Sequence, residues 1–228
     1  MKLRLIAVLG VLFLVSQVYA QEKLVLKNQK DKVSYIFGMD IGSNLKKQSI
    51  DVDPNILAKG VKDAFSGEKP LLTDQEIQET MVAFQKEMMA KQAEVAKKNK
   101  TEGEVFLAEN KKKEGVKTLP SGLQYKVIKA GTGKKPKSTD TVTAHYRGTL
   151  INGTEFDSSY KRGQPVSFPV SGVIPGWTEA LQLMEVGAKW QLFIPPNLAY
   201  GEQGTGRNIG PNATLIFEVE LVSIQEKK

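Results

Sequence analysis

The sequence predicts an α+β protein: a helical first half, then an antiparallel sheet accompanied by one short helix. Three observations carry this. Before Lys117, Gly and Pro are sparse and apolar residues recur every three or four positions. After it, Gly, Pro, Thr and Val are frequent and apolar residues alternate in short runs. Asn152-Gly153, set between two such runs, is a strong hairpin turn. The shift near Lys117 marks the expected domain boundary. The expected organisation is a signal peptide at 1–20, a helical dimerisation domain at 21–72, a long helix at 73–117 and a sheet domain at 118–228. The long helix first completes the dimerisation domain and then acts as a connector.

Residues 1–20 have the three parts of a secretory signal. Lys2 and Arg4 give a positive start, residues 5–15 are apolar apart from Gly10, and Val18-Tyr19-Ala20 precedes a cleavage point at Gln21. The apolar run is too short for a membrane span, which takes about 20 residues. No later segment is long and apolar enough to span, so the mature chain is expected to be exported without a transmembrane helix.

A first helix is predicted over 31–47, with Val33, Ile36, Phe37, Ile41 and Leu45 as its stripe. Asp53-Pro54 starts a second, carrying Ile56, Leu57, Val61, Ala64 and Phe65 on one face until Gly67 stops it. Thr73 with Glu76 is a capping-box signature that opens a third, with Ile77, Met81, Phe84 and Met88 as its stripe. From residue 91 to 104 that stripe thins to Val95 and a few alanines, although Ala, Lys, Glu and Gln still favour helix. Such a helix is expected to bridge solvent, with Gly103 as its weak point. Extended to about residue 113, it would reach roughly 60 Å. Three apolar stripes in so short a region make a thin core, and pairing two copies through these helices would bury them. A homodimer is therefore expected.

In the second half, residues 122–128 alternate, with Leu123, Tyr125 and Val127 on one face. Residues 141–148 alternate again: Val142, Ala144 and Tyr146 one way, Thr143, His145 and Arg147 the other. Residues 190–194 and 214–224 are further strands, with a short amphipathic helix at about 176–184 between the hairpin and the first of them.

Composition excludes several chemistries. The net charge of +7 is mild, and the basic residues are interspersed with acidic ones outside Lys111-Lys112-Lys113 and Lys134-Lys135, which argues against nucleic acid. With no cysteine there are no disulfides, thiolate ligands or cysteine nucleophiles. The single histidine, His145, lies on the strand face opposite Tyr146 and is expected to face solvent, so neither a catalytic triad nor a histidine metal site is expected. Gly131-Thr132-Gly133-Lys134-Lys135 lacks the length and the Ser/Thr of a phosphate loop. Residues 201–210 hold Gly201, Gly204, Gly206 and Gly210 with no helix start to follow, and read as a mobile loop. Glu218 and Glu220 share a solvated strand face. What remains is aromatic: Tyr146, Phe156, Phe168, Trp177, Tyr200 and Phe217, which together with Val173 and Ile174 could line a deep apolar pocket.

Tyr146-Arg147-Gly148, the run from Gly153 to Ser159 (Gly-Thr-Glu-Phe-Asp-Ser-Ser), Val173-Ile174-Pro175-Gly176-Trp177, Ala199-Tyr200-Gly201 and Pro211-Asn212-Ala213-Thr214-Leu215 resemble, in order and spacing, the FKBP-type peptidyl-prolyl cis-trans isomerases. The first half, with Lys32-Val33-Ser34-Tyr35-Ile36-Phe37-Gly38 and the helix from Thr73, resembles the bacterial Mip (macrophage infectivity potentiator) group, as does the run from Leu119 to Tyr125. The resemblance implies a bent antiparallel sheet wrapped around the short helix, preceded by an all-α dimerising domain whose long helix carries the catalytic domain. It implies catalysis by Asp157, Tyr146, Phe156, Tyr200 and Trp177. Val173, Ile174, Phe168, Phe217, Ile209 and Arg162 are the implied substrate-binding positions. Trp177 is the expected floor, and the Ile174 N–H and Tyr200 hydroxyl the expected contacts to substrate carbonyls. Arg162 matches an arginine that pairs with the aspartate, at a position where the Mip group varies. Val166 replaces a frequent pocket aromatic. Proline-containing polypeptides and macrolide inhibitors are the implied ligands, with no cofactor and no metal. The implied setting is the periplasm of a Gram-negative bacterium, the outer-membrane surface being an alternative. The rival reading is a dimeric holdase chaperone or surface-binding module with little turnover.

Overall fold

The computed structural model describes residues 25–206 and 208–225. The leader expected at 1–20 lies outside the described residues. The chain forms two compact units, one ending at Asn44 and the other starting at Leu45. The first supplies most of α1 (Gln29–Lys47), which has Asp31 in its first turn and Lys46 and Lys47 in its last, the charge order that suits a helix dipole. No residue of α1 is buried, and Ile36, Phe37 and Ile41 are exposed.

The second unit opens with helices whose ends follow from their sequence. α2 (Pro54–Ser66) starts where Asn55 and Ile56 donate backbone N–H bonds to Asp53 Oδ1, at 2.7 and 3.3 Å, and stops at Gly67, φ 68°. α3 (Asp74–Asn110) starts at a reciprocal box: Glu76 N–H donates to Thr73 Oγ1 at 3.2 Å, and Thr73 N–H donates to Glu76 Oε2 at 2.8 Å. It runs 37 residues, about 55 Å at the usual helical rise. Among the described residues no helix is long and apolar enough to cross a membrane.

The last third of α3 does not bridge solvent as its composition predicts. Asn99, Gly103, Phe106, Leu107 and Asn110 fall on one helix face and dock it. The Asn99 side-chain amide donates to the Pro211 carbonyl at 2.8 Å, and the Phe106 ring sits 6.0 Å from that of Phe193. Gln124 Nε2 donates to the Leu107 carbonyl at 2.9 Å, and Asn110 Nδ2 donates to Gln124 Oε1 at 3.0 Å. Gly103 is buried, and a Cβ built on it would collide with Thr214 Oγ1. Glycine here permits close approach; it is not a weak point.

Past α3 come β1 (Val116–Thr118), β2 (Gln124–Lys129), β3 (Thr141–Leu150), β4 (Glu155–Ser158), β5 (Val166–Pro169), α4 (Pro175–Leu183), β6 (Lys189–Ile194) and β7 (Leu215–Gln225). The strands form one antiparallel sheet in the order β1-β2-β6-β7-β3-β4, and β5 also pairs with β3. Along its outer edge β3 pairs first with β5, Val142 opposite Phe168, and then with β4, Gly148 opposite Asp157. The β3–β4 turn is the one Asn152-Gly153 predicts: Gly153 has φ 84°, and Leu150 N–H donates to the Thr154 carbonyl at 2.9 Å.

The core lies between this sheet and α4. It holds Leu123, Val142, Ala144, Val170, Leu181, Met184, Leu192, Ile194, Leu215, Val219 and Leu221, each fully buried. Two face assignments differ from the alternation. Leu123, just before β2, enters the core and Tyr125 stacks on Trp190 at 4.3 Å, but Val127 is exposed, while Gln124 on the other face is buried by the end of α3. His145 is half-buried instead of solvent-facing: its ring stacks 4.7 Å from that of Tyr160, and its Nδ1 lies 3.1 Å from Ser159 Oγ.

Candidate functional site

A cavity of about 640 Å³ opens between α4, the inner face of β3, β4 and β7, and the loop that follows Tyr200. Tyr146, Phe156, Asp157, Phe168, Val173, Ile174, Trp177, Tyr200, Ile209 and Phe217 all line it. Of the residues named from the sequence as catalytic or substrate-binding, Arg162 alone is not a lining residue; it reaches the site through hydrogen bonds to Asp157 and Tyr146. Val166 is spent on the β5 pairing with Ala144 and is not part of the lining.

The floor is set by α4. Pro175 stands at its first turn, where a missing N–H costs nothing, and Trp177 follows with 4% of its surface exposed. Three rings meet Trp177 at steep angles: Tyr146 at 5.3 Å and 86°, Phe217 at 5.2 Å and 84°, Phe168 at 5.4 Å and 66°. Phe156 meets Phe217 at 5.4 Å and 82°. Such edge-to-face pairs add about 0.5–1.5 kcal/mol each beyond the area they bury and fix ring orientation. Gly148 makes room for the wall, since a Cβ there would lie 2.6 Å from the Phe156 ring and 2.7 Å from the Phe217 ring. The Trp177 Nε1–H is buried with no hydrogen-bond partner.

One rim is polar. Tyr146 Oη donates to Asp157 Oδ2 at 2.6 Å. Arg162 donates through Nη1 to Asp157 Oδ1 at 2.5 Å and through Nη2 to Tyr146 Oη at 2.6 Å. The Ser158 backbone N–H also donates to Asp157 Oδ1, at 2.8 Å. Burial pushes the Asp157 carboxyl up, but the hydrogen bonds from Tyr146 and Arg162, with the Arg162 charge, outweigh it and hold the carboxyl below its ordinary range. The Tyr146 phenol is pushed up, by burial first and then by its bond to Asp157. The Tyr200 phenol is pushed up by burial and by the Asp157 charge. At neutral pH the rim is thus one carboxylate, one guanidinium and neutral phenols.

Three more residues complete the lining: Gly172, which the sequence did not single out, and Thr205 and Asn208, the ends of a segment that reads as a variable loop. The four-glycine loop was the available signal for the last two. Ser159 was also missed as a support. It is fully buried, its Oγ accepts from the Tyr146 N–H at 2.8 Å, and its own N–H donates to the Tyr146 carbonyl at 2.9 Å. These bonds pin the backbone of the residue whose phenol holds Asp157. Among the described residues no cluster of three or more His, Asp or Glu gathers as a metal site.

Residues 132–222 match the family of FKBP-type peptidyl-prolyl cis-trans isomerases, and residues 30–127 match the domain amino terminal to FKBP-type isomerases. The chain is 49% identical to the outer membrane protein MIP of Legionella longbeachae, over 99% of this chain and 98% of that one. It is 46% identical to the peptidyl-prolyl cis-trans isomerase Mip of Coxiella burnetii, over 89% and 90%. The crystal structure of FkpA from Escherichia coli aligns with a TM-score of 0.63 at 43% identity, covering 88% of this chain and 99% of that one. Identity of this extent across both halves makes the chain a member of the FKBP-type peptidyl-prolyl cis-trans isomerases, an enzyme of that family with close relatives among the Mip proteins.

Proposed function

We propose that the aromatic cavity is where this isomerase turns X–Pro bonds, with Asp157, Tyr146, Phe156, Tyr200 and Trp177 acting on the amide. Val173, Ile174, Phe168, Phe217, Ile209 and Arg162 would hold the chain around it. The observation that carries the reading is the cage of rings on Trp177 with a single polar rim at Asp157. Rotation about a peptide C–N bond faces a barrier of about 18–20 kcal/mol, because resonance flattens it. No bond breaks, so the reaction needs no nucleophile. As the amide twists, conjugation and charge separation fall. A water-excluding aromatic wall therefore disfavours the polar planar amide more than the twisted one. Directed contacts that strengthen only in the twisted geometry add to this. A 10⁴-fold acceleration requires about 5.5 kcal/mol of differential stabilisation. Asp157, held ionised and bonded by Tyr146 and Arg162, is an electrostatic and positioning group; a carboxylate that is already deprotonated and well paired is a poor proton donor.

The enzyme is read as a folding isomerase for exported proteins, homodimeric through its helical region, in the periplasm. Supporting this are the signal-like residues 1–20 and the wide apolar exposure of α1, α2 and the first part of α3. A holdase chaperone is the second reading. It is favoured by Phe65, Leu71 and Ile56, which are 90%, 79% and 72% exposed in the single chain. A protease-coupled proline-peptide assay with Asp157→Ala and Trp177→Ala, run beside a client-aggregation assay, separates the two. Isomerisation that fails in both variants and is blocked by a macrolide supports the pocket reading. Turnover absent from the unmodified protein, with aggregation still suppressed, overturns it.

A further inference from the structure

We propose that Asn99, on α3, is a positioning residue for the isomerase pocket: through Pro211 it sets where Ile209 closes the cavity wall.

The loop after Tyr200 is closed on itself. Asn212 N–H donates to the Gly201 carbonyl at 2.9 Å, Gly201 N–H to the Pro196 carbonyl at 2.9 Å, and Thr205 N–H to the Ile209 carbonyl at 2.9 Å. One side of the loop lines the pocket with Thr205, Asn208 and Ile209, the last only 5% exposed. Its other side is held by α3. The Asn99 amide donates to Pro211 at 2.8 Å, across 112 residues of sequence. A Cβ on Gly210 would lie 3.1 Å from Asn99 Nδ2 and 3.4 Å from Val95 Cγ1, so the helix face and the loop are already in contact there. Gly103 meets Thr214 one helical turn further on. Only Gly210 separates Ile209 from Pro211, and the Ile209 carbonyl is itself held by the Thr205 N–H, so a shift at Pro211 reaches Ile209 over one residue of a closed loop.

Asparagine is also a poor choice for the helix itself. In a stretch of Ala, Lys, Glu and Gln it is a weaker helix former than its neighbours, and its side chain competes for backbone groups. Its bond to Pro211 gives it a reason to be there that helix formation does not. Ile209 belongs to the wall and not to the polar rim beside the twisting amide. Contacts it makes are shared by the planar and twisted states, and shared contacts change KM while leaving kcat in place.

The inference rests on the pocket reading, and the test keeps the two apart. Full-length Asn99→Leu and Asn99→Asp are compared with the unmodified protein. The first removes the donor at similar size. The second turns an acceptor toward the Pro211 carbonyl. The readouts are KM and kcat on proline tetrapeptides that differ in the residue before proline, the Kd of a macrolide, and Tm. Asn99→Leu is expected to raise KM about 5-fold, the effect of one lost hydrogen bond, with kcat within 2-fold and macrolide affinity falling in parallel. Asn99→Asp is expected to shift KM further. Asn99→Ala replaces Asn99→Asp if the latter does not fold. KM unchanged in every variant, or kcat falling in step with Tm, overturns the positioning role. Trp177→Ala in the same assay reports on the pocket itself: if it stays fully active, the pocket reading fails; if it is inactive while Asn99 variants keep their KM, only the role of Asn99 fails.

Discussion

The sheet and the helices before it handle the same apolar side chains in opposite ways. Phe217 in β7 is 5% exposed, whereas Phe65 in α2 is 90% exposed. α1 buries nothing and α2 buries only Asp63, which is paired with Lys59. The sheet region surrounds α4 with a continuous core from Leu123 to Leu221. Each large apolar side chain left in water forgoes roughly 1.5–3 kcal/mol relative to burial. The contrast teaches that the catalytic region closes its own core, while the helical region carries apolar faces that one copy of the chain does not cover.

The sharpest way to break the contrast is to make equivalent cuts on each side of it. Trp177→Ala removes a buried ring on which three others lean. It is expected to cost about 3–5 kcal/mol in urea unfolding and at least about 10-fold in proline-peptide turnover. Phe65→Ala in a monomeric form of the chain is expected to change stability by less than about 0.5 kcal/mol. A loss at Phe65 as large as that at Trp177, at concentrations where the protein is monomeric, would show that the helical region has a core of its own.

If a second copy covers those faces, charges placed there dissociate it. Ile77→Asp combined with Met81→Asp, on exposed positions of α3, is expected to halve the sedimenting mass at micromolar concentration. Turnover of a small proline peptide should stay within about 2-fold, because the cavity is lined from α4, the sheet and the loops around them alone. A chain that sediments as a monomer before any substitution removes the dimer.

The polar rim gives a smaller, pH-dependent effect, and its sign follows from the two shifts. The Asp157 pKa is lowered in the fold, so its contribution is complete above the ordinary carboxylate value near 3.8 and is lost as pH falls through the lowered one. The Tyr146 pKa is raised, so its contribution is complete below the ordinary value of 10.0 and is lost only as pH climbs past the raised one. Turnover is therefore expected to be flat from about pH 5 to about pH 9, with an acid limb that Asp157→Asn abolishes. The Asp157 side chain is 42% exposed, so water screens its pair with Arg162 and the stability share stays below about 1 kcal/mol. A rate that titrates near pH 6–7 would assign catalysis to a different group.

What the sequence made legible depended on which signal each residue type carries. Thr73 and Glu76, Asp53-Pro54 and Asn152-Gly153 act through local backbone chemistry, and the structure places a helix start or a turn at each. The cavity lining could be read because its side chains are large aromatics in separated, ordered motifs. Less legible were features whose signal is contact across distance. β1 and β5 are three and four residues long and exist by pairing with β2 and β3. Ser159 supports Tyr146 by backbone bonds that no spacing announces. The docking face of α3 sets Asn99, Gly103 and Asn110 around the apolar pair Phe106 and Leu107, so a search for apolar periodicity finds only its end and returns a helix in solvent before it.

Two glycines test that last point with the smallest effects and opposite signs. In a helix lying in water, Gly→Ala stabilises by about 1 kcal/mol. Gly60 in α2 has nothing within 4 Å of a built Cβ, so Gly60→Ala is expected to raise stability by up to about that amount. In α3 a Cβ built on Gly103 would collide with Thr214 Oγ1, so Gly103→Ala must push the helix or Thr214 aside and is expected to cost about 1–3 kcal/mol. Equal gains at both sites would return α3 to the solvent-bridging helix of the sequence pattern. The Gly60 result also bears on the helical region. A gain seen at low protein concentration that vanishes at high concentration would locate a second copy against α2, because only a neighbour absent from the single chain could object to one added methyl group.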